Sequence, residues 1–316
     1  MLKKTQFIRD RSETAMDPLS DILSLLRVRA YMSGGLDAAG DWCFDFPTHD
    51  GIKFRINLVG SCWLQVDGMA EPFLIEAGDC FLLPHGRAFR VGTRLDIPPL
   101  DRETLAALTA PGHLVVLNGG SEFRSIGGYC SLAAEHSGIL LNALPPVVRV
   151  RGMQAKTVLR WCVDHMSEEL RKPQPGGTLI IQQLAQMLLV QVLRAHLERA
   201  ATDVGWLSAL ADKRLAAAIA LIHENPGRAW TVAQLADAVG MSRTAFAVHF
   251  KQRSGQTPME YLTRWRMLLA DDRLRHSRES VGAVALSVGY SSESAFSTAY
   301  KRVMGASPRR HAKRAA

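Results

Sequence analysis

The sequence predicts an α+β chain of several parts: a β-rich N-terminal domain, a helical connector, and an all-α C-terminal domain built from a duplicated unit. Three observations carry that prediction. Residues 231–311 hold one pattern twice, at a period of 49 to 50 residues. Residues 41–132 are short apolar runs broken by Gly, Pro and Asp, the texture of closely spaced strands. After residue 152 the apolar spacing becomes helical.

The 316 residues suffice for two hydrophobic cores, and 47% hydrophobic with 22% charged residues is a globular balance. The start, MLKKTQFIRDRSETAMDPLS, is basic but has no apolar core, and no apolar run approaches the roughly 20 residues that span a bilayer. A cytoplasmic chain with no membrane partner is expected. The five cysteines (Cys43, Cys62, Cys80, Cys130, Cys162) are odd in number and form no C-x-x-C pair, which argues against a disulfide framework and a zinc site.

In chain order, residues 1–17 are polar and aperiodic and read as a disordered extension, with Met16 an alternative start. Asp17 and Pro18 open a short amphipathic helix carrying Leu19, Ile22, Leu23 and Leu26. The β-rich domain, 18–150, is expected to place strands at 42–46, 52–59, 61–66, 73–76, 79–84, 89–92, 113–118 and 128–132. Its run EAGDCFLLPHGRAFRV resembles the small β-barrel called a cupin. Residues 93–112, with Pro98, Pro99 and Pro111, look like an excursion from that barrel. The connector, 151–204, holds one helix through Val158, Leu159, Cys162, Val163, Met166 and Leu170, and a longer one over 179–197. Leu184, Met187, Leu188, Gln191 and Leu197 either form a dimer seam or pack internally. The C-terminal domain, 205–316, begins with a helix over 213–224 that ends at Asn225-Pro226-Gly227.

Each copy of the duplicated unit is an apolar-periodic helix, a Gly turn, a capping Ser and a second helix. The first, 231–253, places Val232, Leu235, Ala236 and Val239 on helix one, then Ser242 as cap, with Ala245, Phe246 and Phe250 turned inward. The second, 281–303, places Val284, Ala285 and Val288, then Ala295, Phe296 and Tyr300; Gly289 matches Gly240 and Ser291 matches Ser242. Both close with Gly-x-x-Pro, at Gly255/Pro258 and Gly305/Pro308. This is a tandem helix-turn-helix, whose second helices enter a DNA major groove. Charge agrees: residues 205–316 hold 17 Lys+Arg against 8 Asp+Glu, whereas residues 1–204 hold 21 against 22, so the formal +8 sits on the repeat.

With the motif SVGYSSESAFSTAYKRVMGASPRRH as its most specific part, the segment 210–312 resembles the DNA-binding domain of AraC/XylS-type bacterial transcription regulators. That resemblance implies double-stranded promoter DNA, RNA polymerase and a small-molecule effector as partners, a possible homodimer, and an activator rather than a repressor. Residue by residue, it marks Thr244, Ala247 and Val248, then Glu293, Ser294, Ser297 and Thr298, as base-facing. From the residues themselves, Arg243 can reach guanine, Ala247 and Val248 can meet thymine methyls, and Glu293 can accept from cytosine N4. The first set is more apolar than such helices usually are. Lys251, Arg264, Arg266, Lys301, Arg302, Arg309 and Arg310 are the phosphate candidates. A helix over 259–276 would join the two reading heads.

For the input, metal-dependent cupin enzymes need convergent His and Glu ligands, and His49 and His85 stand singly here, so no metal, cofactor or catalytic site is expected. An apolar effector pocket is expected instead, with Trp42, Phe44, Arg55, Trp63 and His85 as its candidate liners. Two alternatives remain at this point: a metalloenzyme with a helical appendage, with His113 and His136 as further ligands, and a regulator that senses oxidants through cysteine.

Overall fold

The computed structural model describes residues 17–110, 113–133, 136–152, 157–198 and 205–312; the predicted extension before Asp17 and the linker at 199–204 lie outside these. The described residues form two units, 26–198 and 17–25 together with 205–312.

The first unit packs two sheets face to face. One has six strands: β1 (Arg29–Ala38), β3 (Ile52–Val59), β6 (Cys80–Leu83), β8 (His113–Leu117), β9 (Phe123–Ser131) and β10 (Val148–Val150), in the order β10-β6-β3-β9-β1-β8. The other has β2 (Cys43–Phe46), β4 (Cys62–Val66), β5 (Phe73–Ile75) and β7 (Phe89–Gly92), in the order β2-β7-β4-β5. Between them lie Trp42, Phe44, Phe46, Leu64, Phe81 and Phe123 with their neighbours, the core of a cupin-like fold. Burying each such side chain stabilises by about 1.5–3 kcal/mol.

Two strands fall where none was expected, and a third starts early. β1 is interrupted in sequence by Ser33-Gly34-Gly35, and its ladder with β9 slips at Met32/Gly34, a bulge that hides the alternation. β10 follows Pro145-Pro146 and is only three residues long. β9 begins at Phe123 rather than Gly128, because Ser125 and Gly127 face polar Arg55 instead of an apolar layer. The excursion over 93–112 contains helix α2 (Arg102–Thr109), capped by Asp101, whose carboxylate accepts from the Thr104 amide at 2.8 Å. Leu108 of α2 joins the core.

On the outer face of the six-stranded sheet, Ile52, Phe54 and Ile56 are buried. After the short α3 (Gly138–Leu141), two helices pack there: α4 (Thr157–Arg171), with Leu159, Cys162, Val163 and Met166 inward, and α5 (Gly177–Leu197) against β1 and β10. Leu184 and Leu188 of the expected dimer seam are buried in this packing, while Met187, Gln191 and Leu197 are half-buried. By length and hydropathy, α5 is apolar enough to cross a membrane, which the sequence reading did not anticipate. Four glutamines interrupt it, and one side is sealed against the sheet.

The second unit is all helical: α6 (Trp206–Ala209), α7 (Lys213–Glu224), α8 (Val232–Ala238), α9 (Arg243–Ser254), α10 (Pro258–His276), α11 (Val281–Ser287), α12 (Glu293–Met304) and α13 (Pro308–Ala312). Helix α1 (Pro18–Leu25) belongs here too, packed on α7. Residues 18–25, expected with the sensor domain, pack here against the helical unit. The reason is local: buried His223 on α7 lies 3.0 Å from Asp21 on α1 and 2.8 Å from the Tyr261 hydroxyl on α10. Burial lowers the His223 pKa and raises that of Tyr261, which fits a neutral ring accepting from the hydroxyl and donating to Asp21.

Caps define the repeat. Thr231 and Thr257 form capping boxes with Gln234 and Glu260, while Ser242, Ser280 and Ser292 accept from amides three residues on. Ser292, not Ser291, is thus the partner of Ser242. The amides of Met241 and Tyr290 bond back to Ala236 and Ala285, so Ser291 is the extra residue in the second turn. Gly255 and Gly305 end α9 and α12 with φ of 78° and 74°, a left-handed geometry that favours glycine.

Candidate nucleic-acid interface

Phe246 and Phe250 on α9, like Phe296 and Tyr300 on α12, are wholly buried, which turns the opposite stripe of each helix outward. On α9, Arg243, Thr244, Val248 and Lys251 are exposed and Ala247 is half-buried. On α12, Glu293, Ser294, Thr298 and Lys301 are exposed and Ser297 is half-buried. Val248 is 52% exposed. Helix α10 joins the units over 19 residues, about 28 Å at 1.5 Å per residue.

Two of the expected base readers are engaged within the protein. Thr298 Oγ1 donates to the Ser294 carbonyl at 3.1 Å, leaving its methyl group and lone pairs outward. Glu293 lies 3.2 Å from Arg309, so a base reader and a phosphate candidate hold each other. Both are well exposed, and such a pair opens at a cost under about 1 kcal/mol.

Arg264, Lys251, Lys301, Arg302, Arg309 and Arg310 are all exposed. Arg266 is different and its assignment as a phosphate ligand is corrected. Its guanidinium is half-buried, donates to the carbonyls of Pro226 and Arg228 at 2.6 and 2.8 Å, and stands 5.7 Å from the Tyr290 ring centroid. It fastens α10 to the loop before α8. Sequence spacing cannot tell such a staple from a phosphate contact.

Lys213 and Arg214 were not anticipated. They stand at the start of α7 in the same open concavity as Thr244, Ala245 and Val248. Asp212 caps α7 and also bonds His249 of α9 at 2.7 Å, which holds that basic pair beside the first reading helix. The signal was available as a Lys-Arg pair directly after a cap residue.

In the sheet unit, the five candidate pocket residues are not brought together. Trp42 and Phe44 are core. Trp63 is 40% exposed on β4, and His85 bonds the Leu144 carbonyl at 2.9 Å. Arg55 lines a slot of about 30 Å³. All five cysteines are buried, and burial raises every thiol, Cys62 to about 11 and Cys130 to about 12. Thiols held protonated are poor nucleophiles. Among the described residues no three His, Cys, Asp or Glu side chains converge as a metal site would require.

Two family models match the chain: a cupin over residues 17–198 and a helix-turn-helix domain over 235–314. An AraC-like transcription regulator of Streptomyces antibioticus is 41% identical over 295 residues, covering 93% of this chain and 97% of that protein. The transcriptional regulator AlkR of Acinetobacter baylyi is 30% identical over 304 residues, covering 94% and 99%. Among solved structures, the DNA-binding domain of AdpA in complex with a target DNA is 30% identical, covering 31% of this chain and 87% of that one with a TM-score of 0.30.

Proposed function

The chain belongs to the AraC-like transcription regulators, and from that premise we propose that this DNA-binding regulator is an effector-responsive activator acting in the cytoplasm. In this reading α9 and α12 enter successive major grooves on one face of the duplex. Arg243, Thr244, Ala247 and Val248, then Glu293, Ser294, Ser297 and Thr298, meet bases. Lys251, Arg264, Lys301, Arg302, Arg309 and Arg310, with Lys213 and Arg214 added, meet phosphates. The observation that carries it is the pair of identically capped helices with aromatic wedges buried and polar or basic stripes exposed.

The cupin-like unit takes the signal and performs no catalysis. A second copy of the chain packs on the exposed apolar side chains of α4 and α5: Val158, Trp161, Leu179 and Ile180. RNA polymerase is the partner through which activation acts. The sign of regulation rests on likeness to the family. Sensing through cysteine is disfavoured by the buried, protonated thiols.

Hydroxyl-radical footprinting of the full chain on its own promoter region tests the reading. Two protected patches about one helical turn apart are expected, with affinity falling steeply as salt rises. A single patch would refute the two-groove arrangement, and binding indifferent to salt would refute the phosphate assignment.

A further inference from the structure

Strand β3 carries Lys53, Arg55 and Asn57 on the face turned toward the opposite sheet, where neighbouring β6 places Phe81 and Leu83 and the opposite sheet's β2 and β7 place Phe46 and Phe89. Cations facing an aromatic core are costly unless something neutralises them. Among the described residues no carboxylate oxygen lies within 4.0 Å of either cation. Arg55 is 9% exposed, and among the described residues its one hydrogen bond runs from Nε to Ser125 Oγ at 3.0 Å, with no partner for its two terminal nitrogens. Lys53 Nζ sits 4.8 Å from the Phe46 ring centroid and 5.3 Å from that of Phe89, and those rings stack at 4.5 Å. Burial, with Arg55's charge second, pulls the Lys53 ammonium down to about 8, and burial pulls Arg55 down to about 10.

The space in front of Arg55 exists because its cross-strand neighbour is Gly127, whose own neighbour on β1 is Gly34. A side chain at Gly127 would begin 3.6 Å from Arg55 Cγ. Glycine inside a strand marks a place where something approaches the backbone closely. The resulting slot of about 30 Å³ holds roughly one or two water-sized groups, the dimension of a carboxylate head. It shares Ser33, Phe46, Lys53 and Phe89 with an open groove of about 1460 Å³ that runs on past Leu100 and Leu105. The acids on that groove are Asp45, already paired with Arg90 at 2.6 Å, and Asp67.

We propose that this slot and groove bind an amphipathic organic carboxylate, its head held by Arg55 and Lys53 and its apolar body laid along Phe46, Phe89, Leu100 and Leu105. Arg55's free fork suits two carboxylate oxygens, and the ammonium supplies the second charge. This ligand class deepens the effector-responsive reading and rests on it only for its regulatory consequence.

Isothermal titration calorimetry of the full chain, with decanoate and 4-butylbenzoate against decanol and 4-butylbenzyl alcohol, tests it. At least one carboxylate should bind about tenfold or more tighter than its alcohol. Lys53→Met should erase most of that preference while leaving alcohol binding and the circular dichroism spectrum unchanged. Arg55→Gln should do the same, but Lys53→Met decides if Arg55→Gln fails to fold. Equal affinity for acid and alcohol, binding by neither acid, or a preference surviving in Lys53→Met would each overturn the proposal. A gel-shift titration on the same samples separates the two readings. Carboxylate binding that leaves DNA affinity and promoter output unmoved keeps the site and removes its regulatory role.

Discussion

The two helix-turn-helix units share caps, turns and wedges, yet they are anchored by different chemistry. In each, a residue three places beyond the closing proline bonds back to the helix that precedes the unit. In the first unit that residue is Tyr261, and it meets a neutral histidine, His223, stacked on Trp265 at 3.9 Å. In the second it is His311, and it meets a buried carboxylate, Asp271, which also receives the Tyr300 hydroxyl and Arg275 at 2.6 Å. One anchor is a stacked aromatic cluster that reaches a partly exposed carboxylate, Asp21; the other is an ionic cluster centred on a wholly buried carboxylate, Asp271. The same architecture can therefore be held rigid by either route, and the ionic one suffers more when a partner is lost.

That contrast can be broken at its strongest point first. Asp271→Asn should destabilise the helical unit by about 3–5 kcal/mol, because Arg275 and its neighbours lose a buried acceptor. Tyr261→Phe should cost only about 1–3 kcal/mol. Urea unfolding followed by tryptophan fluorescence measures both, and a larger loss for Tyr261→Phe would reverse the ranking.

Acid should separate the anchors as well. The pKa of His223 is lowered by burial, so the unfolded chain takes up a proton below about 6.5 while the folded chain does not. Stability falls as pH drops through that value, and His223→Gln should flatten the slope between about pH 6.5 and 5. An unchanged slope in that variant would place the titration elsewhere.

On DNA the two units should differ in what they read and agree in what they grip. Arg243→Ala and Thr298→Val should each shift base preference by up to about tenfold, at different positions in the site, without an equal loss on scrambled sequence. Lys251→Ala and Lys301→Ala should weaken both sequences alike and lower the salt slope by about 0.9 each. Competition binding with randomised duplexes distinguishes these patterns. The smallest effect is expected at Glu293→Gln, which releases Arg309 and should tighten non-specific binding only a few-fold, since an exposed pair contributes under about 1 kcal/mol.

The duplication was legible because its period, caps and glycines are local, and each has a direct backbone meaning. The turn register was misread by one residue, since Ser291 and Ser292 both qualify as caps and only the amide bonds separate them. Arg266 looked like a phosphate ligand because an exposed arginine and a folded-back one share the same spacing. In the sheet unit β1 and most of β9 escaped notice: their inner faces carry Gly, Ser and Tyr toward Arg55 and Lys53 rather than an apolar layer. The strands hardest to recognise are the ones that line the slot. Trp42 and Phe44 were chosen as liners for size and aromaticity, which are equally the qualities of a core residue.

Helix α1 alters how the molecule can be dissected. A fragment beginning at residue 205 looks like an independent DNA-binding domain, yet it would lack Asp21 and the apolar side of α1 formed by Leu19, Ile22 and Leu23, and would leave one ring nitrogen of His223 without its acceptor. A serial deletion from the N-terminus would remove part of the helical unit before touching any strand. Loss of DNA binding in such a series would then be misattributed to the sensor. A faithful minimal fragment joins residues 17–25 to 205–312 through a flexible linker, making one continuous chain of what the gene encodes in two pieces.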